Sequence, residues 1–126
     1  RPYPWRRLKT IRSQRKVPLV GLSLWAVNQA LKPSDGKFLF PKYCNEKGIY
    51  SNSASAALNK WLKSIAGPDY VIHSLRHSFR DRLRAVGCPS DMIDELGGWT
   101  SGGIGQAYGN GYTLSAKHLK INCIAL

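Results

Sequence analysis

Between positions 73 and 108 the chain carries a histidine, an arginine, a tryptophan and a tyrosine whose types suit chemistry on a phosphate ester. The stretch His73-Ser-Leu-Arg-His-Ser-Phe79 reads as the opening of a helix over residues 73 to 87. On such a helix His73 and Arg76 lie one turn apart on one face, so both reach a single phosphate. A guanidinium is planar, permanently charged and forks onto two oxygens, which suits Arg76 to the charge that spreads over a phosphoryl transition state. The His73 imidazole can donate a hydrogen bond to the same group. Trp99 offers one donor, its indole N–H, and cannot shuttle a proton. A donor of that kind aimed at developing charge is worth roughly two or three orders of magnitude in rate. Tyr108 supplies a phenol, a residue type that can act as a nucleophile once it loses its proton. Its ordinary pKa of about 10 means that surrounding cations must help remove the proton. No metal is required in such a scheme.

Each of these residues has a plainer use. His73 can cap the helix or satisfy a polar core contact, and Trp99 can be core filler. Tyr112 competes with Tyr108 as the nucleophile. His73 and His77 stand four apart, as a zinc pair would, but Arg76 lies between them and no helical Glu accompanies them as in His-Glu-x-x-His.

The charge balance names the class of partner. Lys and Arg number 19 against 7 Asp and Glu, a net charge of +12, which calls for a polyanion. His73, Arg76, His77, Arg80 and Arg84 form a basic stripe whose like charges repel on an isolated helix, and a polyanion relieves that repulsion. No apolar run approaches a membrane span, and no Lys-rich amphipathic helix with an aromatic face appears, so nucleic acid is the better reading than membrane. The three cysteines, Cys44, Cys88 and Cys123, are odd in number and widely spaced, which fits reduced thiols in a cytoplasm rather than a disulfide framework or a zinc ribbon.

His-x-x-Arg opening a helix, then Gly-Gly-Trp at 97 to 99, then Tyr108 nine positions after Trp99, resembles the tyrosine recombinase (phage integrase) family. The resemblance runs from about Lys9 to the end and is nearest the prophage integrases that carry Trp in place of a second histidine. It implies a mobile catalytic lysine on a β-hairpin, matched by Lys9-Thr10 before Val17-Pro18-Leu19, with Lys16 as the fallback. That lysine would protonate the leaving 5′-oxygen. The basic turn of the hairpin, with Arg12, Arg15 and Lys16, would meet the DNA backbone, as would His77 and Arg80. The implied reaction is site-specific integration or recombination of double-stranded DNA through a 3′-phosphotyrosyl intermediate, with no cofactor. The implied setting is a homo-oligomer, a tetramer, on DNA in a bacterial or phage-encoded cytoplasmic protein. Family members also exchange the segment after the tyrosine between protomers. The family's other phosphate-clamping arginine, on a helix before the hairpin, has no match here, nor does its N-terminal DNA-binding domain. Residues 1–126 are therefore expected to be the C-terminal part of a catalytic domain, inactive alone. A catalytically degenerate DNA-binding module and an RNA-binding basic domain are the other readings.

The elements that must position these residues follow from spacing. The expected class is mainly α with a small β-hairpin (α+β), an incomplete recombinase-like catalytic domain of 126 residues. Residues 1 to 19 read as the hairpin. Gly21 to Lys32 reads as a helix with Leu24, Val27 and Leu31 on one face and Ser23 as its cap. Phe38-Leu-Phe40 reads as a strand or extended segment, and Pro41 to Tyr50 as a loop. Ser51 to Ile65 reads as a helix burying Ala54, Ala57, Leu58, Leu62 and Ile65, capped by Asn52 or Ser53. Leu75, Phe79 and Leu83 form the apolar stripe of the central helix, and Gly87 is its C-cap. Pro89-Ser-Asp91 opens a helix whose Met92, Ile93 and Leu96 face inward. Ile104 to Tyr108 reads as a helical turn between glycines, and Thr113 to about Ile121 as a last helix.

Overall fold

The computed structural model describes residues 8, 10, 13–34, 36–99 and 111–126. Among them are five helices and a two-stranded antiparallel sheet: α1 (Gly21–Leu31), β1 (Cys44–Asn45), β2 (Gly48–Ile49), α2 (Ser51–Ala66), α3 (Ser74–Ala85), α4 (Ser90–Gly97) and α5 (Leu114–Asn122). The chain is therefore mainly α with a small antiparallel β element, the class expected from its patterning.

The sheet among the described residues lies elsewhere than the segments read as strands, and the first strand of the hairpin expected over residues 1 to 19 falls almost wholly outside the described residues. Among the described residues, neither 13–20 nor 38–40 forms a strand. The hairpin lies inside the segment read as a loop, pairing Cys44 with Ile49 and Asn45 with Gly48. Its turn is made by Asn45, whose Oδ1 accepts from the N–H of Lys47 (2.9 Å) and of Gly48 (3.2 Å). An Asx turn of this kind folds the chain back locally, and two-residue strands are too short to show a period of two.

The core is built by α3, α4 and α5. Leu83, Ile93 and Leu96 are fully buried, joined by Val20, Cys88, Met92, Trp99 and Ile121. All three inward residues expected in α4 are buried. Of the α3 stripe, Leu83 is buried and Phe79 packs half-buried against the core, but Leu75 is exposed, because core contact begins one turn later, at Phe79.

Helices α1 and α2 have the predicted extents to within a residue but bury nothing. Leu24, Leu31, Ala57, Leu58 and Ile65 are exposed, and Val27, Ala54 and Leu62 half-buried. Helical spacing decides which side chains share a face; a neighbour must still cover that face. Ser23 does stabilise the start of α1, accepting from the Val20 N–H (3.1 Å) and donating to the Val20 carbonyl (2.6 Å). The residue before α2 is Tyr50, which makes no side-chain cap, so neither Asn52 nor Ser53 caps it.

The C-terminal segment packs on its own chain. Ile121 is buried, Arg82 donates to the Ile124 carbonyl (2.6 Å), and the Leu22 N–H donates to the Leu126 carbonyl (2.8 Å). No helix among the described residues is long and apolar enough to cross a membrane.

Candidate active site

Two helices end in the same way, and this places the candidate residues. In α3 the Gly87 N–H bonds to the Arg84 carbonyl and the Cys88 N–H to the Leu83 carbonyl, both 3.0 Å, with Gly87 at φ +71°. In α4 the Gly98 N–H bonds to the Glu95 carbonyl (3.4 Å) and the Trp99 N–H to the Asp94 carbonyl (2.8 Å), with Gly98 at φ +66°. Both are Schellman terminations, which use a left-handed residue that glycine adopts without cost to a side chain. The residue just past each such glycine turns back onto its own helix, and those residues, Cys88 and Trp99, are both in the core.

Gly97 completes the seat of Trp99. A Cβ added at Gly97 would overlap the indole ring at Cδ2, Cε2 and Cε3. Gly-Gly-Trp is thus one structural unit: the first glycine is the surface the ring lies on, and the second makes the bend. Above the ring stand two guanidiniums of α3, Arg76 with Cζ 4.5 Å from the centroid and Arg80 at 4.3 Å. Phe79 meets it edge-on at 6.5 Å. Such cation–π contacts offset part of the repulsion between the two arginines. Asp94 offsets more, at 3.8 Å from Arg80, and Asp81 does the same for Arg84 at 3.8 Å. Among the described residues no carboxylate pairs with Arg76. The Trp99 Nε1 is buried and has no hydrogen-bond partner among them either. A buried donor without an acceptor is rare in a folded protein and calls for an explanation.

The family model of the phage integrase family matches residues 6–113. This chain belongs to the phage integrase family. Its members are tyrosine recombinases, enzymes of site-specific DNA recombination. Comparison with curated proteins and with solved structures returns no match.

In this integrase-family chain the structure brings Arg76, Arg80 and Trp99 together. His73 is the residue before α3; it is exposed, makes no capping bond, and stands with its ring 6.0 Å from that of His77, edge to face. Arg15 does local structural work: its Nε donates to the Leu96 carbonyl (2.7 Å), satisfying one free carbonyl at the C-terminal end of α4 beside Trp99. Lys16 is exposed. Tyr108, Lys9 and Arg12 lie outside the described residues, as does the helical turn expected at 104 to 108.

Tyr112, the rival candidate for the nucleophile, is engaged in a hydrogen bond. Its hydroxyl donates to Asp91 Oδ1 at 2.7 Å, and that hydrogen bond, with burial and the nearby carboxylate charges, pushes its pKa up, which opposes formation of a phenolate. Burial likewise raises the pKa of the Cys88 thiol, so it is an inert core residue.

Sequence reasoning missed Asp94, Glu95 and Lys117, and it read Gly97 as a helix end and motif residue without its role as the seat of the indole. Glu95 accepts from Lys117 Nζ at 2.7 Å and from the Tyr112 N–H at 3.1 Å. One signal was available. Asp94 and Glu95 sit in the last turn of α4, where a carboxylate opposes the helix dipole. Two acids there imply cations from elsewhere, and Arg80 and Lys117 supply them.

Proposed function

We propose that this integrase-family protein cuts and rejoins duplex DNA through a covalent link to Tyr108. The Tyr108 oxygen attacks phosphorus, the bond from phosphorus to the 5′-oxygen breaks, and Lys9 gives that oxygen its proton. The products are a 3′-phosphotyrosyl enzyme and a free 5′-hydroxyl. Attack by another strand's 5′-hydroxyl reverses the step and regenerates the tyrosine. Arg76 and His73 hold the non-bridging oxygens, and Trp99 donates its N–H to one of them. Arg12, Arg15, Lys16, His77 and Arg80 meet the DNA backbone. Assembly as a homotetramer on DNA is part of this reading and follows from the family.

The observation that carries the proposal is the pairing of an arginine without a carboxylate partner and a buried indole N–H without an acceptor, among the described residues, in contact with one another. Both wants are met by one anionic oxygen group. Because the N–H is shielded, phosphate reaches it only when the side chains around the ring shift.

The test is covalent trapping by the full-length protein on a nicked duplex whose short 5′ fragment diffuses away after cleavage. A denaturant-resistant adduct is expected from the wild type and none from Tyr108→Phe. A wild type that binds the duplex tightly, with steep salt dependence, yet forms no adduct would instead be a DNA-binding module without chemistry.

A further inference from the structure

We infer that Glu95 is a positioning residue for the attacking tyrosine, acting through the backbone of Tyr112. The inference rests on the role proposed for Tyr108. A single carboxylate near the end of α4 receives two donors from the segment beginning at Gly111: Lys117 Nζ on Oε1 at 2.7 Å and the Tyr112 N–H on Oε2 at 3.1 Å. Gly111 is packed so closely that an added Cβ would lie 2.6 Å from Glu95 Oε1. The Tyr112 hydroxyl reaches Asp91, one turn earlier on the same helix, at 2.7 Å. Residues 111–117 are thus tied at three points to the helix that presents Trp99. Lys117 is only 7% exposed. An ammonium so enclosed must stay paired, so this contact does not open as a surface ion pair would.

Covalent geometry gives the consequence. Tyr108 is four positions from the anchored Tyr112, which limits their Cα separation to about 14 Å. The nine steps along the chain from Trp99 to Tyr108 alone would allow about 30 Å. The downstream anchor is therefore the tighter constraint on where the phenol can go. Attack requires reacting atoms at about 3–3.5 Å and aligned, so loosening the anchor lowers the fraction of time spent in reach. Glu95 touches neither phosphate nor phenol in this scheme; it acts by fixing the chain that carries the nucleophile.

The test measures single-turnover adduct formation by the full-length protein on saturating nicked duplex, with DNA affinity, melting temperature and exchange of the Tyr112 amide followed for each variant. Glu95→Ala is expected to slow the adduct on the order of ten- to a hundredfold, with DNA affinity unchanged and the Tyr112 amide exchanging fast. Glu95→Gln keeps an oxygen for the Tyr112 N–H and is expected to recover most of the rate and the amide protection. Lys117→Met leaves Glu95 on Tyr112 and is expected to react nearly as fast as wild type. Glu95→Gln and Lys117→Met also carry the test where Glu95→Ala does not fold at the assay temperature. A role confined to the ion pair predicts that both are as slow as Glu95→Ala, and that result overturns the inference. An adduct that is lost in Tyr108→Phe but forms at full rate in Glu95→Ala overturns this inference alone. A wild type that forms none overturns it together with the proposed function.

Discussion

Replacing Gly97 by alanine sets two effects of opposite sign against each other. Gly97 is the last residue of α4, and in a helix alanine is favoured over glycine by roughly 0.5–1 kcal/mol. Against this, the new methyl would occupy space held by three ring atoms of Trp99. The ring cannot simply yield, because Arg76 and Arg80 stand against it at 4.5 and 4.3 Å and Phe79 abuts its edge. Overpacking of this kind costs about 1–3 kcal/mol. Displacing the indole also weakens two cation–π contacts, each worth roughly 0.5–1 kcal/mol at partly exposed sites. The net expectation is a loss of about 1–3 kcal/mol, the steric cost outweighing the propensity gain. Urea unfolding of wild type and Gly97→Ala, followed by circular dichroism, reads the difference as a midpoint lowered at constant slope. Covalent adduct formation should fall as well, since Trp99 no longer sits beside Arg76. A midpoint that rises in Gly97→Ala would mean that propensity alone governs the site and that the indole does not lie on this glycine.

The other outcomes are less elaborate. Glu95→Ala leaves the Lys117 ammonium enclosed without a partner and should cost roughly 3 kcal/mol, the low end for a broken buried pair because Glu95 is about a third exposed. Lys117→Met, which leaves a carboxylate that water can reach, should cost clearly less, and thermal melts of the two variants rank them. For Tyr112, folding favours the protonated phenol, so its contribution to stability is complete below about pH 10 and is lost as pH rises through the raised folded value. Unfolding measured from pH 9 upward should show this alkaline loss in wild type and lose it in Tyr112→Phe, a variant that should still form the DNA adduct.

How far the sequence carried these conclusions depends on what each feature needed. Helix α4 could be read almost residue by residue, since its start, its inward Met92, Ile93 and Leu96, and its terminating glycines are all local signals. Gly87 at the end of α3 was legible for the same reason. The hairpin at 44–49 was not, because an asparagine side chain makes it and its strands are too short to alternate. The exposed apolar faces of α1 and α2 were not either, because periodicity says nothing about a covering neighbour. At the site, the contact between Arg76 and Trp99 follows the expected grouping, whereas the Glu95 anchor joins side chains 22 residues apart and left only an unfavourable dipole as a trace. Trp99 had two competing uses, core filler and phosphate donor. The residue is 9% exposed while its N–H has no partner among the described residues, so the packing described has not used up its capacity to donate.

The central claim is that the phenol at position 108 becomes bonded to DNA. Mass spectrometry of the peptide left on the 3′ end after proteolysis of the trapped adduct tests it most directly. The account predicts a phosphodiester linkage on Tyr108 in the peptide spanning residues 85–117. A linkage on Tyr112 or on any other residue would contradict it.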